Sequence, residues 1–154
     1  MDTLPPSPDP GLEVLRGRRA ELREAIYALE QALAAPAPGR AAAWAERVHV
    51  ALVELSADLR MHVEDTEGPD GLHRSVVATA PRLSSAVARL NREHVELGRL
   101  VQELLGQLGR PAAGDGVDLV RERGTALLGQ LVRHRQRSSD LVFEAYQADI
   151  GGET

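Results

Sequence analysis

Apolar residues recur in steps of three and four through almost the whole chain, and this period restricts it to helices that each bury one face. In the first stretch they fall at Leu12, Leu15, Leu22, Ile26, Leu29 and Leu33, with Arg19 at the phase where another belongs. The second runs Trp44, Val48, Leu52, Leu55, Leu59, His62, Thr66, and the third Leu83, Val87, Leu90, His94, Leu97, Val101, Leu104, Leu108. The fourth runs Val117, Val120, Gly124, Leu127, Leu131, His134, Ser138, Leu141, Ala145. Three breaker clusters separate them: Pro36 to Arg40, Gly68 to Gly71, and Gly109 to Gly116, with a weaker break at Pro81. In each, Pro removes a backbone donor or Gly admits positive φ. The pattern predicts helices over about 11–35, 41–67, 82–109 and 116–147, with a shorter piece near 72–79. Four amphipathic helices of this length fold as an all-α, antiparallel four-helix bundle.

The chain has 154 residues, the size of one domain, so residues 11–149 are expected to form the bundle between a Pro-rich disordered tail (1–10) and a short C-terminal tail (150–154). With one Trp, two Tyr and one Phe, the core has to be built from Leu, Val, Ala and Ile. All basic residues are Arg, a bias expected of a GC-rich bacterial genome. The net charge of −5 is scattered without a long basic run, which argues against nucleic acid as a partner. There is no Cys, so disulfides, thiolate catalysis and Cys-based metal sites are excluded. No stretch has the length of a membrane span or signal peptide, and the expected location is cytoplasmic with no membrane partner.

The polar residues that interrupt the seams fall at one height. His94 and His134 both lie roughly 22 to 27 Å along their helices from the loop that joins them, so they should face each other. His62 reaches the same level if the GPDG break bends the chain without redirecting it, and Arg19 is the matching position on the first helix. One imidazole at a core phase is more often a hydrogen-bonded core residue than a ligand. Three from three helices must each find a partner or bear about 1 to 3 kcal/mol of desolvation, and a cation satisfies them together.

These residues resemble the hemerythrin-like, or HHE cation-binding, family. His62 in HVEDTEGPDGL, His94 in REHVEL and His134 in RHRQRSSDLVFEAY look like its motifs on the second, third and fourth helices. The resemblance implies an up-down bundle holding non-haem iron, with His62, His94 and His134 as ligands. Departures accompany the matches. Thr66 and Ser138 stand where bridging carboxylates belong, Arg19 stands for the first-helix His, and Gly98 for a second His found in some members. Glu67 is the nearest substitute carboxylate, either as a fourth ligand or as a partner for Arg19. Two irons among neutral imidazoles would lack charge compensation, whereas three His and a water can hold one Zn²⁺ or Fe²⁺.

The implied roles are binding of O2, NO or peroxide, or storage or sensing of iron. The alternative is a metal-free degenerate bundle acting as a structural or protein-interaction module, in which imidazoles and Arg19 fix helix register. A homodimer is left open. No phosphate-binding Gly loop, nucleophile elbow or EF-hand spacing is present, so triad hydrolysis is not indicated. His49 falls on another face, His73 beside the GPDG break is expected to be solvated, and Asp140 should point away from His134. Phe143 and Tyr146 are expected to pack at the bundle end, Tyr27 to cover the seam, and Arg133 to Arg137 to form a solvated face.

Overall fold

The structure is a computed structural model that describes residues 10–109 and 114–148, with side chains over 16–109 and 116–146. Both tails and the seam positions Leu12 and Leu15 lie outside the described residues or side chains. Among the described residues there is no strand. The elements are α1 (Pro10–Ala34), α2 (Ala41–Glu67), the short α3 (Leu72–Thr79), a 3-10 turn (Pro81–Leu83), α4 (Ser84–Leu108), α5 (Gly114–Phe143) and a π-helical turn (Glu144–Ala148). α1 packs chiefly on α2 and α4 on α5, with further packing of α2 on α4 and α1 on α5. No described helix is long and apolar enough to cross a membrane.

The breaks act by the chemistry of their residues. Gly39 takes φ 71°, a left-handed conformation that side chains resist, and turns α1 into α2. Gly68 N–H bonds Glu64 O at 2.9 Å and closes α2. Pro81 opens the turn into α4, where a missing N–H costs nothing, and Ser84 Oγ donates to Pro81 O at 2.7 Å.

The seams bury as their spacing predicts. Leu29, Leu52, Leu55, Leu97, Leu127 and Leu131 are almost wholly inside, each stabilising the fold by about 1.5 to 3 kcal/mol relative to exposure. The apolar interior falls into two clusters. The larger spans Leu22 to Leu33, Trp44 to Leu59, Leu97 to Leu104 and Val117 to Leu131; the smaller joins Val76, Ala80, Leu83, Val87, Leu90, Leu141 and Ala145. His62, His94 and His134 occupy the gap in sequence between them on three helices. At the far end of the larger cluster, Arg121 donates to Leu33 O (3.0 Å) and Ala35 O (2.7 Å), carbonyls that the end of α1 leaves unpaired, and its guanidinium lies 5.2 Å from the Trp44 ring centre.

Four expectations are corrected. Phe143 is 66% exposed, because two residues past buried Leu141 it points about 200° round the helix. Tyr27 is 61% exposed, about 100° from Ile26, and does not cover the seam. His73 is buried at 4% exposure, because α3 folds back over the end of the bundle. Arg137 is half-buried and bound to Glu93, so the arginine run is not wholly a solvated face. Tyr146 does pack on the smaller cluster, with its hydroxyl 2.8 Å from Ser75 Oγ.

Candidate metal centre

α2, α4 and α5 each carry one imidazole to a common point. The ring centres of His62 and His94 are 5.1 Å apart, those of His62 and His134 5.4 Å, and those of His94 and His134 4.8 Å. One nitrogen from each ring lies within 4.8 Å of the other two. His94 and His134 are buried and His62 nearly so. The level estimated from helix rise therefore brings these three together. Arg19 lies at the same level and lines the opening beside His62, but it stays exposed and is not buried with the rings.

The outer nitrogens of two rings are anchored by carboxylates. His94 Nδ1–H donates to Glu67 Oε2 at 2.6 Å, and His134 Nδ1–H donates to Glu93 Oε1 at 2.9 Å. Glu67 thus sits behind His94, outside the converging group of nitrogens. Glu93 also accepts from Arg137 Nε at 2.8 Å. Burial pushes the Glu93 carboxyl up, but the bonds from His134 and Arg137 outweigh it and hold it below the usual range.

The imidazoles are neutral at physiological pH. Burial, then the neighbouring His94 and His134, hold His62 down to about 3, and burial followed by His134 and His73 does the same to His94. Burial also lowers His134 and His73 against the opposing pull of Glu93 and Asn91. The carboxylate contacts are therefore hydrogen bonds from neutral rings rather than ion pairs, and they fix the tautomer. With Nδ1 protonated, the Nε2 atoms of His94 and His134 keep a lone pair. His62 Nε2–H donates to His134 Nε2 at 3.2 Å, while His94 Nε2 is buried with no hydrogen-bond partner among the described residues.

A donor set of this kind, its nitrogens all within 4.8 Å of one another, could hold one cation. Nitrogens about 2.0 to 2.1 Å from a tetrahedral ion stand roughly 3.3 Å apart, close to the 3.2 Å between His62 and His134. It does not fit two, because among the described residues no carboxylate belongs to the converging group to offset a second charge. The two hydroxyls at the bridging positions are both buried. Thr66 Oγ1 turns back to His62 O at 2.9 Å, while Ser138 stays at 8% exposure. Asp140 is exposed and accepts from Gln136 at 2.9 Å, as its phase implies.

Three contributors escape the seam pattern. His73 stacks on His94 with ring planes 2° apart and centres 5.8 Å apart, and its Nδ1 lies 2.6 Å from Asn91 Oδ1. Glu93 is one residue from His94 but on the face turned to α5. Arg137 stands three residues past His134, the helical spacing that could have pointed to it. No protein-family model, curated protein or solved structure matches the chain.

Proposed function

We propose that the protein is a metal-binding helical bundle that holds one divalent cation, zinc or ferrous iron, on His62, His94 and His134. The supporting observation is the polarity of the rings: outer N–H groups of His94 and His134 on carboxylates, their inner lone pairs turned to one group, and that of His94 without a partner among the described residues. Carboxylates behind ligating histidines orient the rings and raise their basicity. His62 contributes once its Nε2 proton moves to Nδ1 or to solvent. When bound, such an ion supplies Lewis acidity and an open position for a small ligand such as O2, NO or peroxide.

An up-down, antiparallel layout in the hemerythrin-like manner is supported by the short connections and by the pairing of Arg18, near the start of α1, with Asp65, near the end of α2. On this reading the chain is a divergent form with a single ion in place of two, suited to ligand binding or to storage or sensing of iron. Elemental analysis of purified protein should find about one equivalent of zinc or iron, and His94→Ala or His134→Ala should remove it. At a hundredfold excess over Kd, zinc should raise the melting temperature by roughly 5 to 10 °C. A metal-free preparation that takes up neither metal would sink the proposal.

The His62 to His134 hydrogen bond favours a second reading, a metal-free polar layer that sets helix register. There His94→Leu would be neutral or stabilising, and chelator would leave the melting temperature unchanged.

A further inference from the structure

The outward face of α2 is apolar where water should meet polar groups. The side chains that this helix sends into the core, Trp44, Val48, Leu52, Leu55 and Leu59, occupy one face. At about 100° per residue, Ala43, Val50, Val53, Ala57 and Met61 fall on the opposite face, and with Glu46 they recur in steps of three and four. All six are exposed, Val50 and Val53 over about half of their surface. The other exposed large apolar residues of the described chain stand singly on α1, α4 and α5, which is ordinary for a surface. A second seam on one helix is not ordinary: it sets apolar side chains at the spacing with which helices pack on one another.

We infer that this face joins two copies of the chain, α2 against α2, antiparallel across a two-fold axis near Val53. Charge selects the second copy and its direction. Glu46 lies seven residues before Val53 and Arg60 seven residues after it, both on the outward side of the helix. Among the described residues neither has a hydrogen bond or an ion pair. With two helices antiparallel about Val53, each Glu46 stands opposite the other copy's Arg60, so the contact carries two opposite-charge pairs. Val53 then meets Val53, and Val50 meets Ala57. A parallel pairing in register would set Glu46 against Glu46 and Arg60 against Arg60, and is disfavoured. From Glu46 to Arg60 the helix rises about 21 Å, so the interface is one helix wide and roughly four turns long. That is small for a stable complex, and a dimer of micromolar rather than nanomolar strength is expected.

Sedimentation equilibrium of the full chain tests it. The wild type should pass from monomer near about 1 µM to dimer at several hundred micromolar. Glu46→Arg and Arg60→Glu each turn two attractive pairs into two repulsive ones. Each should weaken self-association about tenfold at low salt, with the circular dichroism spectrum unchanged. Mixed in equal amounts, the two variants should associate with each other about as tightly as the wild type does with itself, because each supplies the charge that the other lacks. Val53→Glu, which sets two carboxylates on the axis, should leave only monomer. A wild type that stays monomeric to several hundred micromolar overturns the inference. So does a mixture of the two charge variants no tighter than either alone, or a Val53→Glu chain that still dimerises.

Discussion

The charge of Glu93 reaches the cluster through a ring. Its carboxylate accepts hydrogen bonds from His134 Nδ1–H and Arg137 Nε–H, so it fixes both the tautomer and the tilt of the imidazole without belonging to the converging nitrogens. Glu67 does the same for His94. Glu93→Gln and Glu67→Gln keep the size but let the amide present a donor to the ring, and each should lower zinc affinity about 10- to 100-fold with helix content unchanged. Glu96→Gln, which alters only an exposed pair with Arg99, is the control. Isothermal titration checks this, and equal affinities across the three would show that the carboxylates are ordinary surface acids. The imidazole triad was legible in the sequence because each ring falls on a seam whose phase its apolar neighbours define. Glu93 and His73 were not. One sits about 100° off the seam, where its meaning depends on how α5 docks, and the other lies in a segment too short to set a phase.

Among the elements, the four long helices were readable nearly end to end, since Leu at three- and four-residue spacing leaves little choice of buried face. The short α3 was located as a helix, but where it packs could not be inferred, because that depends on the turn before it. Gly71 governs that turn by space rather than by φ, which is an ordinary −74°. A Cβ there would lie 2.5 Å from Thr66 O and 2.8 Å from Gly68 O, backbone atoms that cannot yield without unwinding the end of α2. Gly71→Ala should therefore destabilise the protein by about 1 to 3 kcal/mol and, by displacing α3, release His73 from its stack on His94. A urea midpoint unchanged in this variant would show that the approach is looser than described. Arg19 lies at the expected level beside His62 but is not buried there: a seam phase fixes where a Cα sits, and a long cationic side chain can leave that phase for water.

For the molecule as a whole, neutral imidazoles that are buried at His73, His94 and His134 and nearly so at His62 make stability depend on pH. An unfolded histidine binds a proton near 6.5, whereas folded His62 and His94 do so only near 3, so protonation favours the unfolded chain. Stability of the metal-free protein should be complete above about pH 6.5 and decline from there toward pH 3, by roughly 1 kcal/mol per pH unit for each of the two residues. Urea midpoints at pH 7.5 and 5.0 measure it, and a flat profile between them would contradict the burial described. The two apolar clusters carry a further consequence. The body of the protein is a large hydrocarbon block, and the smaller block beyond the histidines is a stopper with little grip of its own, held by contacts such as Ser75 to Tyr146 and Arg82 to Glu144 O. An ion shared by α2, α4 and α5, as proposed, would rivet these helices at the joint. Its occupancy would then govern how often the stoppered end breathes, more than whether the chain folds at all.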